Sequence, residues 1–160
     1  NVDKDGISWD KSFVSYGFTD DATSKPPTQT IHLEFWTSYS DYFVDWNYDK
    51  SSNTYKRNNG GVAHMDIDNK QLSAKNIVVL FMRQSNANDG YENNLHLLYK
   101  TKGTGKAIVF KDGTEIKATW SKDTRTSRTL VFDSNGNPVK FNRGLIWFEI
   151  LPTDGVVSVK

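Results

Sequence analysis

A chain of 160 residues is long enough to form one domain with its own hydrophobic core, and its 5 Trp, 7 Tyr and 9 Phe exclude a disordered chain. The formal net charge of +1 gives no electrostatic support to a nucleic-acid partner. Because the chain has no cysteine, disulfides, thiolate catalysis and cysteine-ligated zinc are excluded.

Turn-forming residues recur about every ten residues, and no long stretch has helical periodicity. This rhythm predicts a mainly β fold, an antiparallel sandwich or partly open barrel of about 9–12 strands with little helix. We treat residues 1–160 as a single β domain whose N-terminal strands lie in residues 1–47. The predicted strands lie at 11–18, 30–36, 42–48, 54–57, 76–82, 95–99 and 145–150, with hairpins at 104–120 and 130–141. The segment 95–99 also fits a short helical turn.

Three of these strands have an informative apolar pattern. In residues 42–48 one face carries Tyr42, Val44, Trp46 and Tyr48, which predicts a half-buried strand. The segment 76–82 is apolar on both faces, which predicts a central strand. The segment 145–150 is predicted to be the last core strand, closed by Pro152.

The hairpin at 104–120 can be predicted residue by residue. Asp112-Gly113 fits a two-residue type I′ turn, in which both central residues need positive φ. Counting outward pairs Val109 with Ile116, Ala107 with Ala118, and Gly105 with Trp120. The indole of Trp120 can then lie over a residue that has no side chain.

The hairpin at 130–141 has Asn135-Gly136 as its predicted turn. A two-residue turn here pairs Phe132 with Val139 and Leu130 with Phe141, and it places Pro138 opposite Asp133. At a non-hydrogen-bonded position the missing N–H of Pro138 costs nothing.

Several motifs occur in a fixed order along the chain. They are Y-x-R from Tyr55, G-x-x-H-x-D from Gly61, AKNIVV from Ala74, TGKAIVFKDG from Thr104 with a later Trp, and FDSNGNPVKF from Phe132 followed by G-x-x-W-F-E-I-L-P. Between about residues 48 and 152 this order resembles the carboxy-terminal domain of the YerB-type bacterial lipoproteins, a domain of unknown function.

The resemblance implies where the protein is located rather than what it does. It implies an extracytoplasmic, Gram-positive-type surface protein held by a lipid-anchored cysteine at the start of the full-length chain, outside this sequence. It also implies a further amino-terminal domain, which we do not find here. The chain starts at Asn1 without a signal-peptide pattern, so we expect a processed protein or an excised domain. No apolar run is long enough to span a membrane.

The segment 55–66 concentrates polar residues of the types that act in catalysis and metal binding. One hypothesis makes Arg57, His64 and Asp66 a catalytic or metal-binding corner, because a histidine oriented by a carboxylate can act as a base or ligand. The alternative, which we favour, is structural: Gly60-Gly61 turns the chain, Arg57 pairs with Asp66, and His64 donates to a backbone carbonyl.

Acidic residues elsewhere give no site. The segments 3–6, 66–69 and 133–137 contain pieces of a calcium loop without its full pattern, and Asp, Asn and Gly are also the usual residues of turns. The carboxylates Glu34, Glu92, Glu115 and Glu149 are too scattered to select a glycosidase pair. We therefore predict no metal and no cofactor.

Six aromatic residues lie between positions 36 and 48: Trp36, Tyr39, Tyr42, Phe43, Trp46 and Tyr48. Exposed aromatic rings bind sugars and peptides, whereas alternation sends about half of such residues into a core. We expect Trp46 in the core and an exposed rim at Tyr39 and Phe43. The candidate binding residues are Tyr39, Phe43, Tyr55, Arg57 and His64.

Together these observations predict a binding or interaction module at the cell envelope rather than an enzyme. The expected partner is an unidentified envelope protein or glycan, with no nucleic acid, and with membrane contact only through the lipid anchor. The oligomeric state cannot be predicted from the sequence. Two alternatives remain open: an envelope hydrolase that uses Arg57, His64 and Asp66, and a purely structural domain that positions its amino-terminal neighbour.

Overall fold

The computed structural model describes residues 15–27, 29–93 and 96–160, and these residues form fifteen strands. The strands are β1 (Phe18–Thr19), β2 (Thr30–Glu34), β3 (Val44–Asp49), β4 (Thr54–Asn59), β5 (Val62–Ala63), β6 (Ser73–Ala74), β7 (Asn76–Met82), β8 (Gln84–Asn86), β9 (Leu97–Tyr99), β10 (Gly103–Lys111), β11 (Thr114–Lys122), β12 (Leu130–Asp133), β13 (Phe141–Asn142), β14 (Ile146–Pro152) and β15 (Val156–Val159). Single turns of 3-10 helix occur at Ser40–Tyr42 and Tyr91–Asn93. In this described part of the chain, no helix has the length and apolarity that crossing a bilayer requires.

Most strands belong to two large sheets. The five-stranded sheet has the order β12-β11-β10-β7-β14, and the six-stranded sheet has the order β15-β2-β3-β4-β5 with β6 also on β4. Two short pairs, β1 with β13 and β8 with β9, complete the fold. The mainly β sandwich is confirmed, although β7 pairs with β14 in parallel, as β1 does with β13.

The apolar residues of the five-stranded sheet are buried on both of its faces. One face packs on the six-stranded sheet around Ile31, Leu33, Trp46, Tyr55, Ile77, Val79, Phe110 and Leu151. The other face forms a second core around Val78, Leu80, Val109, Trp120 and Phe141, against which Tyr16 packs. All seven residues of β7 are therefore buried, which confirms the central strand predicted at 76–82.

A buried polar network fastens the β10–β11 turn to the rest of the domain. The Oδ1 of Asp112 accepts hydrogen bonds from the side-chain amides of Asn53 at 2.9 Å and Asn142 at 2.5 Å. The hydroxyl of Tyr55 accepts from the backbone N–H of Gly113 at 2.9 Å. These contacts hold the end of the five-stranded sheet on β4 and the β3–β4 loop, as buried polar groups require partners.

The 104–120 hairpin matches the prediction in turn type and register. Asp112 and Gly113 have φ of 53° and 71°, as a type I′ turn requires. Every predicted pair is observed, including Gly105 with Trp120. A Cβ placed on Gly105 would lie 2.5 Å from the indole nitrogen of Trp120, so the ring occupies the space that the glycine leaves.

The register predicted for the 130–141 hairpin is wrong by one residue. Gly136, with φ of 79°, donates its N–H to the carbonyl of Asp133 at 3.0 Å, and the N–H of Asp133 donates to the carbonyl of Asn137 at 2.9 Å. The loop thus has three residues, a type I turn followed by a left-handed glycine. The extra loop residue places Phe132 opposite Pro138, and Phe141 pairs with β1 instead.

Other predicted boundaries also change. The strand at 145–150 is observed as β14, but β15 follows it and forms the edge of the six-stranded sheet, so it is not the last. Tyr42 lies in a 3-10 turn and is exposed rather than on the buried face of β3. Residues 97–99 form a strand. The first part of the strand predicted at 11–18, the acidic turn at 3–6 and residue 95 lie outside the described residues.

Candidate functional site

The turn predicted at Gly60-Gly61 is confirmed, with φ of 56° and 80° between β4 and β5. The N–H of Gly60 donates to the carbonyl of Phe43 at 2.8 Å, and the amide of Asn59 donates to the carbonyl of Asp41 at 3.2 Å. These bonds hold the hairpin against the 3-10 turn at Ser40–Tyr42 and orient β4 over the core.

The side chain of Arg57 points into that core. Its Nε donates to Oε1 of Glu149, on the facing sheet, at 3.1 Å, and the two residues are 7% and 5% exposed. The same carboxylate oxygen accepts from the indole N–H of Trp46 at 3.0 Å. The guanidinium carbon lies 5.7 Å and 5.3 Å from the ring centroids of Trp46 and Trp147. The predicted pair of Arg57 with Asp66 is therefore wrong, because β14 supplies a buried carboxylate that is distant in sequence.

His64 and Asp66 have separate environments. The Nδ1 of His64 lies 2.5 Å from Nη1 of Arg57, and because a guanidinium only donates, this imidazole nitrogen accepts the bond. Asp66 closes its own turn, where its Oδ1 accepts from the N–H of Asp68 at 2.9 Å and of Lys70 at 2.8 Å. The histidine is thus oriented by a cation rather than by a carboxylate, unlike the usual general base. A catalytic role for this corner stays a prediction.

A second histidine lies on the outer face of the six-stranded sheet. The Nδ1 of His32 is 2.7 Å from Oδ1 of Asp45, and Ser158 is its cross-strand neighbour on β15. Serine, histidine and aspartate are the residues of a hydrolytic triad. Here, however, Nε2 of His32 faces Oε1 of Glu34 at 3.5 Å, and the ring of Phe43 packs edge-on against the imidazole. His32, Glu34, Asp45 and Ser158 thus form a row of polar side chains on the outer face of the sheet.

A groove of about 760 Å³ opens at the end of the sandwich where β10 begins. Its floor is apolar and consists of Phe81, Ile108 and Val157. Its walls are residues 103–106 at the start of β10 and Thr153, Gly155 and Val156 at the β14–β15 connection. The volume lies within the range of about 300–1,000 Å³ that ligand sites occupy.

Four basic residues line this groove, and the lining contains no Asp or Glu: the four are Arg83, Lys100, Lys102 and Lys106. All four are exposed, and none of them takes part in the ion pairs seen among the described residues. The Nζ of Lys106 lies 4.8 Å above the ring of Phe81. Like charges that line a concave surface focus the electric field on an incoming anion. We call this feature the basic groove.

A smaller aromatic pocket shares a wall with the basic groove. Phe35, Trp36, Tyr39 and Asp154 line about 160 Å³, and Asp154 lies between two residues of the basic groove wall. Trp36 donates its indole N–H to Oε1 of Gln84 at 3.3 Å, and the hydroxyl of Tyr99 donates to the same oxygen at 2.7 Å. Burial raises the pKa of Tyr99, and the carboxylate of Asp154 raises it further.

The structure separates the five predicted binding residues. Tyr39 is 61% exposed at the aromatic pocket, whereas Phe43 is half-buried against His32. Tyr55 and Arg57 are buried because alternation along β4 turns both side chains towards the core. Neither side chain is therefore available to a ligand at the surface. Binding by Tyr39, Phe43 and His64 stays a prediction.

The basic groove was not predicted from the sequence. A weak signal exists in KTKGTGK at 100–106, where Lys100, Lys102 and Lys106 share one face of an extended chain. The fourth cation, Arg83, comes from the end of β7, and the facing wall comes from the β14–β15 connection. Only the fold brings these three segments together.

The model of one protein family, described as the C-terminal domain of proteins of unknown function DUF3048, matches residues 31–148. The chain belongs to this family. The match covers all four cations of the basic groove, as well as Arg57 and His64.

Two comparisons find similarity to the same Bacillus subtilis protein. The chain is 22% identical over 142 residues to the Bacillus subtilis protein named "Putative lipoprotein YerB", covering 88% of this chain and 41% of YerB. The crystal structure of Bacillus subtilis YerB superimposes with a TM-score of 0.71 at 20% identity, covering 89% of this chain and 46% of that one. This likeness shows the fold, and the chain spans less than half of the length of the relative that it matches.

Proposed function

We propose that the domain is a binding module of a lipid-anchored bacterial surface protein and that the basic groove is its ligand site. The surface location rests on the similarity to a protein named as a lipoprotein. The binding site rests on one observation: four cations, none of them in an ion pair with another described residue, line a groove whose lining has no carboxylate.

The charge distribution explains why this observation points to a ligand. The chain carries 20 basic and 19 acidic residues, so an even surface would mix the two signs. Four cations that face one groove repel one another, and an anionic ligand offsets that repulsion. In addition, Val156 is exposed and Val157 is half-buried at the groove, so a ligand there would remove some apolar surface from water.

These features favour an anionic ligand of the cell envelope. Phosphate or carboxylate groups, on a glycan or on a protein, accept charge-assisted hydrogen bonds from Lys and Arg. The aromatic pocket at Trp36 and Tyr39 lies on the far side of the shared 153–155 wall and offers rings for an adjoining sugar or apolar side chain. The hydrolase alternative has no comparable support, because Arg57 is buried and Asp66 closes its own turn.

Sedimentation with isolated Bacillus subtilis cell walls tests the proposal. The parent domain should bind walls or wall-associated protein, and the bound fraction should fall as salt rises. The charge-reversed variant Lys102→Glu/Lys106→Glu should lose most of this binding.

The matched control is Lys50→Glu/Lys117→Glu, which makes the same charge change at exposed lysines outside the groove. This control should bind as the parent does, apart from a small effect of net charge. Equal loss in both variants, or no loss in either, would contradict a specific site at the basic groove.

A further inference from the structure

A single tight turn stands between the basic groove and the aromatic pocket. The N–H of Gly155 donates to the carbonyl of Pro152 at 3.0 Å, which makes Thr153 and Asp154 the two central residues of this turn. Thr153 lines the basic groove and Asp154 lines the aromatic pocket. Because the Cα atoms of neighbouring residues lie about 3.8 Å apart, one ligand can reach both sites across this turn.

The strand pair β8–β9 joins the two sites on another side. Gln84 pairs with Tyr99, and Oε1 of Gln84 accepts hydrogen bonds from the hydroxyl of Tyr99 and from the indole of Trp36 in the aromatic pocket. The adjoining residues Arg83 and Lys100 line the basic groove, and the N–H of Lys100 donates to the carbonyl of Arg83 at 2.9 Å. The same strand pair therefore positions one ring of the pocket and two cations of the groove.

The aromatic pocket has the side chains that bind an uncharged sugar. The N–H of Tyr39 donates to the carbonyl of Trp36 at 3.0 Å, and the hydroxyl residues Thr37 and Ser38 between them are exposed. Asp154 is also exposed and takes part in none of the ion pairs within the described part of the chain. Aromatic rings pack against apolar ligand surface, while a carboxylate accepts hydrogen bonds from ligand hydroxyls.

We propose that the basic groove and the aromatic pocket together bind one ligand, an anionic glycan. An uncharged sugar ring lies in the pocket against Trp36 and Tyr39, with its hydroxyls donating to Asp154, and a neighbouring carboxylate, phosphate or sulfate group lies among the cations of the groove. This inference rests on the proposed function, because the groove is the same ligand site, and it adds the class of ligand.

The opposite charges of the two sites favour a glycan over an acidic peptide. The groove has four cations and no carboxylate in its lining, whereas the pocket has the carboxylate of Asp154. A ligand that is negative along its whole length would bring like charges together at Asp154. A sugar ring next to a charged group matches both sites, because its hydroxyls can donate to the carboxylate.

Isothermal titration calorimetry with three short probes tests the ligand class. The first is a hyaluronan tetrasaccharide, in which charged glucuronate alternates with uncharged N-acetylglucosamine. The second is chitotetraose, which has the uncharged sugar alone, and the third is the acetylated and amidated peptide Glu-Ser-Glu-Ser, which has the same two charges without sugar. The hyaluronan probe should bind at least about tenfold more tightly than either of the others. Equal or tighter binding of the peptide or of chitotetraose would overturn the inference.

Two exposed tyrosines supply a matched pair of variants. Tyr39, in the pocket, is 61% exposed, and Tyr91, which lines neither site, is 52% exposed. Tyr39→Ala should weaken binding of the hyaluronan probe about tenfold, and Tyr91→Ala should leave it unchanged, with unchanged melting temperatures as the check of folding. Unchanged binding in Tyr39→Ala, or an equal loss in both variants, would overturn the role of the pocket.

Asp154 should determine which anionic glycans the domain accepts. Tetragalacturonate carries a charge on every ring, so Asp154→Asn should improve its affinity relative to that of the hyaluronan probe by about fivefold. Asp68→Asn makes the same change at an exposed residue outside both sites and should leave this ratio unaltered. An unaltered ratio in Asp154→Asn, or the same alteration in both variants, would overturn the role of Asp154.

The variant Lys102→Glu/Lys106→Glu separates failure of this inference from failure of the proposed function. If cell walls or the Glu-Ser peptide bind in a way that depends on these lysines while the hyaluronan probe does not bind, the groove remains the ligand site and the glycan inference fails. If neither the walls nor any probe depends on these lysines, both proposals fail.

Discussion

Arg57 of β4 and Glu149 of β14 form a buried ion pair, with Nε and Oε1 separated by 3.1 Å, that joins the two large sheets. Trp46 donates to the same carboxylate oxygen, and two indole rings flank the guanidinium. The carboxylate is thus bonded by two donors in the core. A charge buried in this way is tolerated because its partners replace the water that it lost.

Removing one member of this pair should be costly. Glu149→Gln or Arg57→Ala should lower the free energy of unfolding by about 3–5 kcal/mol, because each leaves a buried charge without its opposite charge. The double variant Arg57→Met/Glu149→Leu should lose less than the sum of the two single changes. Urea denaturation of the parent, single and double variants measures these differences, and additive losses would contradict a coupled pair.

Asp66 should matter less to stability than Arg57. Its Oδ1 accepts two backbone N–H bonds in an exposed turn, so Asp66→Ala should cost only about 1 kcal/mol.

Thermal melts of the parent and of His64→Gln, with and without added zinc or calcium, test the catalytic or metal-binding alternative. We expect no metal-dependent change in either protein. A rise in the melting temperature of the parent that disappears in His64→Gln would make this corner a metal site.

Two glycines separate steric crowding from backbone strain. Gly113 and Gly136 both have positive φ, of 71° and 79°, so alanine at either position should carry a similar backbone cost of about 1–2 kcal/mol. A Cβ at Gly113 would also lie 2.5 Å from Cε1 of Tyr48, whereas nothing lies within 4 Å at Gly136. Gly113→Ala should therefore be less stable than Gly136→Ala by roughly another 1–3 kcal/mol. Equal unfolding midpoints would mean that Tyr48 moves freely.

The ion pair of Asp21 with Lys75 predicts a pH dependence. Hydrogen bonds from Lys75 and then Asn53 hold the pKa of Asp21 below its ordinary value of 3.8 in the folded protein. The folded protein thus binds this proton less readily than the unfolded chain, so the contribution to stability is present above pH 3.8 and is lost as the pH falls below it. Asp21→Asn should be less stable than the parent at pH 7, and the difference should shrink in acid. A difference that is constant with pH would contradict the pairing.

The elements that the sequence predicted correctly are those set by local chemistry. Asp112-Gly113 supplies both positive φ values of a type I′ turn, so the register of the 104–120 hairpin followed by counting. Asn135-Gly136 fits both a two-residue and a three-residue hairpin loop. The loop observed has three residues, so every predicted cross-strand pair of the 130–141 hairpin is shifted by one residue. Local rules therefore fail where two turn types share a signature.

The candidate site depended on contacts that local rules do not contain. The carboxylate that pairs with Arg57 lies 92 positions away on β14, and residues on one strand could not indicate it. At the basic groove the pairing of β7 with β10 stops at Leu80 and Ala107, and the carbonyl of Phe81 accepts the indole N–H of Trp120 from a third strand. Only three of its four cations, Lys100, Lys102 and Lys106, are regularly spaced in the sequence. The assembled fold is needed to show that all four line one groove.

The central claim, that the basic groove is the ligand site, is tested most directly by amide NMR of the ¹⁵N-labelled domain titrated with soluble Bacillus subtilis cell-wall fragments. We predict that the shift changes concentrate at Arg83, at 100–106 and at the β14–β15 connection. Changes centred instead on His64 and Asp66, or on the outer-face row at His32, would contradict the account, as would the absence of any change.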